Sequence, residues 1–138
     1  MSADEKSRSV LIDSSAVLAL LDRSDGAHGR AVKTARLLAE ERVVLLQTTY
    51  LRVETHGLLV GRLGHAVARA WLLARPFPAL AVAPDVEARA WQIVATHVDK
   101  AYSLCDALTF AFMEVHRIRR AFALDRHFRQ YGRFQVMP

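Results

Sequence analysis

Val10-Leu11-Ile12-Asp13-Ser14-Ser15-Ala16-Val17-Leu18-Ala19-Leu20-Leu21 is the stretch that decides how the rest of the chain reads. Residues 10–13 form a short apolar run that ends in an acid, the pattern of a buried strand. Ser14 and Ser15 follow with hydroxyls suited to capping a helix, and residues 16–21 continue as that helix. A strand that runs straight into a helix is the first half of a βαβ unit. Asp13 then sits on the edge where strand C-termini meet the N-termini of the following helices.

Outward from that stretch the alternation repeats. Residues 22–29 form a loop rich in Asp and Gly. Residues 28–42 read as an amphipathic helix with Ala31, Ala35, Leu38 and Ala39 on one stripe. Residues 43–47 are the second strand, and Thr48 or Thr49 caps a helix reaching about residue 62. Residues 65–74 form a helix with Val67, Ala70, Trp71 and Ala74 expected inward. Residues 79–83 are the third strand, and Pro84 opens a helix in the usual first-turn position. Its buried face is read as Val86, Ala90, Ile93, Val94 and His97, with Trp91 also inward. Ser103 starts a helix to about residue 117, with Val115 among its core-like residues. Residues 121–125 are the fourth strand, and residues 134–137 form a short fifth at an edge. The expected fold is α/β: a three-layer α/β/α sandwich around a central, mostly parallel sheet of four to five strands.

A chain of 138 residues is one domain on ordinary size grounds. Residues 1–9 read as a flexible lead-in and residues 10–138 as a single domain. With 52% hydrophobic and 24% charged residues, the composition excludes whole-chain disorder. The lone Cys105 leaves no intrachain disulfide, which suits a reducing compartment. The first residues lack a secretory apolar core, and no apolar run approaches a bilayer span, so a soluble cytoplasmic protein is expected, with no membrane partner. The net charge of +5 favours a polyanionic partner. Arg117, Arg119, Arg120, Arg126, Arg129 and Arg133 crowd the last quarter. They read either as a solvated face or as a phosphate-contacting surface around Asp125.

Four acids carry the chemistry: Asp13, Glu54, Asp106 and Asp125. Asp13 and Asp125 end apolar strands; Glu54 and Asp106 lie near helix starts. Each has a bland explanation. Asp13 and Asp125 suit caps, Asp106 stands at capping-box spacing after Ser103, and Glu54 has an arginine partner available. Together they converge on one sheet edge. Carboxylates held so close raise one another's pKa unless a cation neutralises them. An oxygen-only donor set favours Mg²⁺ or Mn²⁺, as one or two ions, over zinc. Such ions activate water and orient a phosphodiester, with no covalent intermediate on the protein. Ser14, Ser15, Ser103 and Thr109 are candidates to hold a water, a ligand acid or a phosphate, against the plainer reading as caps or core hydroxyls. His127 is a candidate for contact with substrate. Cys105 reads as an inert buried thiol. The six histidines never form His-Glu-x-x-His, and no Gly-rich phosphate loop occurs.

Four segments are similar to the PIN-domain family, specifically its VapC-type toxin ribonucleases from toxin–antitoxin pairs. They are residues 11–22, residues 48–55 (Thr48-Thr49-Tyr50-Leu51-Arg52-Val53-Glu54-Thr55), residues 102–111 and residues 121–128 (Ala121-Phe122-Ala123-Leu124-Asp125-Arg126-His127-Phe128). They occur in order along nearly the whole chain. The resemblance implies an α/β/α sandwich, with Asp13, Glu54, Asp106 and Asp125 as the family's acids and Ser103 or Ser14 as its hydroxyl. It also implies Mg²⁺- or Mn²⁺-dependent RNA cleavage, homodimers and a cognate antitoxin that blocks the site. The expected function is a metal-dependent endoribonuclease. Asp13, Asp106, Asp125 and Glu54 serve as metal and catalytic residues, and Arg117, Arg119, Arg120, Arg126, His127 and Arg129 as RNA contacts. The alternative is a non-cleaving RNA- or partner-binding module on the same fold. A haloacid-dehalogenase-like phosphatase needs an Asp two positions after its nucleophile, where this chain has Ser15. A receiver domain needs paired acids early in the fold, and Asp4 and Glu5 precede the first strand.

Overall fold

The computed structural model describes residues 2–138. Strand β1 (Ser9–Ile12) is buried along its whole length. β2 (Val44–Thr48) and β4 (Arg120–Phe122) flank it, while β3 (Ala79–Leu80) and β5 (Gln135–Met137) form the outer strands. The order is β3-β2-β1-β4-β5 and every pairing is parallel. The helices are α1 (Ala3–Ser7), α2 (Ser14–Leu21), α3 (His28–Glu40), α4 (Thr49–Leu63), α5 (His65–Ala74), α6 (Pro84–Thr96), α7 (Leu104–His116) and α8 (Arg126–Tyr131).

The period of two along the central strands sorts side chains into separate cores. Val10, Ile12 and Phe122 face Ala16, Leu38, Leu59 and Trp71, from helices α2 to α5. Leu11, Leu46 and Ala121 face Val86, Ile93, Phe110 and Phe112, from α6 and α7. A sheet covered on both faces needs apolar residues at every position of its middle strand, which is why residues 10–12 show no alternation. The expected three-layer α/β/α sandwich is borne out, and the sheet is wholly parallel with five strands.

Topology places the site. From β1 the chain builds outward through β2 and β3, then crosses back to lay β4 on the other side of β1. The neighbours β1 and β4 therefore send their following loops apart and open a crevice at their carboxyl ends, the usual ligand position in such sheets. Asp13 and Asp125 follow those two strands.

Several local expectations shift. β3 keeps only Ala79–Leu80 of the predicted residues 79–83, and β4 is Arg120–Phe122 where residues 121–125 were expected. Asp125 lies beyond its strand as the N-cap of α8. The lead-in region carries α1, closed by a Ser2–Glu5 capping box, and Ser9 already belongs to β1. Trp91 is 65% exposed, because the buried stripe of α6 is Val86, Ala90 and Ile93 and the next residue turns about 100° away. Val94, Val67 and Val115 are exposed for the same reason. The inward residues of α5 are Ala68 and Trp71, while Ala70 and Ala74 face out. Among the described residues no helix is long and apolar enough to cross a membrane.

Candidate active site

Asp13 closes β1 and caps α2. Its Oδ2 accepts the Ser15 N–H at 3.2 Å and the Ser15 hydroxyl at 2.5 Å. The same Ser15 Oγ accepts the backbone N–H groups of Leu124 (2.9 Å) and Asp125 (3.2 Å). One hydroxyl thus ties the end of β1 to the loop after β4. Of the alternatives open for Ser15 in the sequence (a water, a ligand acid, a phosphate, or a plain cap or core hydroxyl), the bond formed is to Asp13; its link to the loop of the fourth acid has no signature in local spacing.

Glu54 lies on the first turns of α4, which Thr48 caps by accepting the Leu51 N–H. The Ser14 hydroxyl donates to Glu54 Oε1 at 2.7 Å and fixes that carboxylate beside Asp13. Beneath them Gln47, fully enclosed, donates through Nε2 to the Ile12 carbonyl and to Thr55 Oγ1, both at 3.1 Å. Those bonds join β1, β2 and α4 under the acids. Gln47 escapes sequence reading, although a polar residue inside an otherwise apolar strand is the signal that points to it.

Asp106 occupies the third position of α7 in a reciprocal capping box. Its N–H donates to Ser103 Oγ and its Oδ2 accepts the Ser103 N–H, each at 3.0 Å. The plainer reading of Ser103 therefore holds: its hydroxyl is a cap. Thr109 likewise donates to the Cys105 carbonyl at 2.9 Å within its own helix. The capping box and the site role of Asp106 are compatible, since the second carboxylate oxygen stays available.

Asp125 caps α8 by accepting the His127 N–H at Oδ1, 2.8 Å away. The His127 ring then lies between two acids, with Nδ1 2.8 Å from Asp106 Oδ2 and 3.2 Å from Asp125 Oδ1. One ligating atom from each of Asp106, Asp125 and His127 lies within 4.8 Å of the others.

The electrostatics match a site that needs a cation. Burial, with Glu54 and Asp106 adding like charge, pushes the Asp13 carboxyl up to about 7 even though Ser15 donates twice to it. Burial also raises Asp106, and Asp125 adds to that, against the Ser103 N–H and His127. Burial and the neighbouring Glu54 push the Cys105 thiol far above its usual range, in keeping with an inert thiol. Carboxylates so placed gain from a divalent ion, and the donors present fit one.

The arginines divide. Arg126 and Arg129 lie on α8 beside Asp125, and Arg129 donates to the Pro138 carbonyl. Arg117, Arg119 and Arg120 are at the amino end of β4, the opposite edge of the sheet. There they line a cavity of about 550 Å³ together with Lys6. Arg120 is held by Glu41 at 2.9 Å. Of the two readings, a solvated face or a phosphate-contacting surface around Asp125, the second does not include residues 117–120, because β4 carries the chain from them to the acid edge.

Comparison with known proteins agrees with this geometry. The PIN-domain family model matches residues 10–134. The chain is 33% identical over 132 residues to the 23S rRNA-specific endonuclease VapC20 of Mycobacterium tuberculosis, covering 94% of this chain and 98% of that protein. The crystal structure of that organism's VapC20, described as a Sarcin-Ricin loop cleaving toxin, superposes with a TM-score of 0.81 at 32% identity. It covers 94% of this chain and 99% of the other.

Proposed function

The chain belongs to the PIN-domain family, and from that premise we propose that it is a divalent-metal-dependent endoribonuclease, the toxin of a VapBC-type pair. The observation that carries the reading is the convergence of Asp13, Glu54, Asp106 and Asp125 at the β1–β4 crevice, joined through Ser14, Ser15 and His127. A bound Mg²⁺ or Mn²⁺ supplies an activated water and charge neutralisation at the phosphate.

The chain's own residues do the rest. Asp13, Asp106 and Asp125 hold the ion, directly or through water. Glu54, oriented by Ser14, accepts a proton from a water facing the phosphodiester. Arg126 and Arg129, on α8 beside Asp125, hold RNA phosphates, which makes binding salt-dependent. VapC20 is a 23S rRNA-specific endonuclease that cleaves the Sarcin-Ricin loop, which makes a ribosomal RNA loop the first substrate to offer. A cognate antitoxin covers this edge, and the protein acts in the cytoplasm as a homodimer.

The test is cleavage of such RNA with Mg²⁺, with Mn²⁺ and with chelator, comparing wild type with Asp13→Asn. Metal-dependent products from wild type alone are expected. Equal products from both proteins would trace cleavage to a contaminant and remove the assignment.

A further inference from the structure

His127 stands where a purely oxygen-lined site would have no nitrogen. Its place is set three ways. Its backbone N–H is bonded to Asp125 Oδ1. The edge-on ring of Tyr102, itself buried, packs against it at 5.6 Å and 83°. Its side chain is only 17% exposed. A ring so confined has little freedom to swing out toward RNA, which weakens its reading as a substrate contact.

The distances suit another role. Adjacent positions of an octahedron with ligand distances of roughly 2.1 Å lie roughly 3 Å apart. Nδ1 of His127 is 2.8 Å from one carboxylate oxygen and 3.2 Å from the other. An ion about 2.1 Å from these atoms sits off the lines that join them and takes the Nδ1 lone pair. The bound ring is the neutral tautomer with its hydrogen on Nε2, so any proton on Nδ1 is released to solvent and Nε2 takes one up where it lacks it.

We propose that His127 is a nitrogen ligand of the ion held by Asp106 and Asp125, and that it tunes this site toward Mn²⁺ over Mg²⁺. Imidazole favours first-row transition ions, whereas Mg²⁺ takes oxygen almost exclusively. The inference rests on reading this edge as a metal site and adds the ion's identity to it.

The experiment uses the full chain with Mn²⁺ alone as probe. Pulsed electron paramagnetic resonance of the Mn²⁺ protein should show modulation from a directly bound nitrogen, and labelling with ¹⁵N-histidine should alter it. His127→Phe keeps a ring against Tyr102 and removes the nitrogen. It should abolish that modulation and weaken Mn²⁺ binding by about tenfold or more. Mg²⁺ affinity, read by competition, should change by less than about threefold. Asp125→Asn should weaken both ions. Bound Mn²⁺ without nitrogen modulation, or an equal loss for both ions in His127→Phe, overturns the proposal. So does Mn²⁺ binding that Asp125→Asn leaves intact, since the ion would then sit elsewhere. A wild-type protein that binds no Mn²⁺ removes the metal-site reading itself, a separate outcome from an ion bound by oxygen alone. Should His127→Phe fail to fold, the wild-type spectrum decides the question.

Discussion

β1 and β4 each have two ends, and both ends of this pair gather charge. At their carboxyl ends lie Asp13 and Asp125; at their amino ends lie Arg117, Arg119 and Arg120, with Lys6 nearby. Asp13, Asp106 and Asp125 are pinned, each by a named donor on its oxygens, and Asp13 is buried at 5% exposure while Asp125 is partly open. The arginines at the other end are more open: Arg117 and Arg119 lie exposed, and Arg120 is tied by one surface partner. Charge held at a fixed spacing out of water has a strong field and a definite shape; charge on mobile side chains in water has neither. The difference separates a fixed cluster of acids from an open basic surface.

Substitution on both sides is the sharpest way to break that contrast. Asp125→Asn is expected to lower RNA cleavage by about a thousandfold. Arg119→Ala should change it by about twofold or less. Initial rates on one RNA at fixed salt check both, and a large loss in Arg119→Ala would move part of the site to the far edge.

The next effect is on stability. A carboxyl whose pKa rises from 3.8 to about 7 on folding penalises the native state once ionised. The unfolded chain ionises first, so the penalty grows as pH climbs from about 4 and is complete above about 7. Metal-free wild type should therefore gain stability as pH falls through that window. Asp13→Asn keeps an oxygen for the Ser15 donors and should be more stable than wild type at pH 8, by on the order of 2–4 kcal/mol. The gap should shrink to less than half at pH 5 and close below about pH 4. Urea melts in chelator at both pH values measure this, and added Mn²⁺ should narrow the pH 8 gap by stabilising wild type.

Ser15→Ala comes third. It leaves the Leu124 and Asp125 N–H groups and an Asp13 oxygen without their shared partner, at a cost of about 1–3 kcal/mol. A urea melt reads the loss, and slower cleavage should accompany it. The smallest effect belongs to the far edge. Arg120→Ala breaks a part-exposed pair with Glu41 and should cost less than about 1 kcal/mol, vanishing in high salt.

Most elements of the fold were legible in the chain. The unbroken apolar run of residues 10–12, the Pro84 helix start and the Ser103 cap each use a rule that acts within a few residues, and each holds in the structure. The errors cluster where a neighbour decides. Trp91 looks like core by hydrophobicity, but the buried stripe of α6 is chosen by what α7 presents. β3 stops at Leu80 because only two of its residues find partners on β2. Residues 117–129 are one basic stretch in sequence, yet β4 runs through the middle of it and sends its arginines to opposite edges.

Local chemistry was enough to determine the α/β alternation, the layers and the four acids, because strand period, helix capping and strand-end carboxylates are written over short spans. Only the tertiary structure could decide that β4 lies against β1 and not beyond β3. That pairing alone puts Asp125 and His127 beside Asp106 and lets one Ser15 hydroxyl reach across 110 positions of chain. Its physical reason is packing on both faces of a twisted sheet, which depends on all the helices at once and on no single segment.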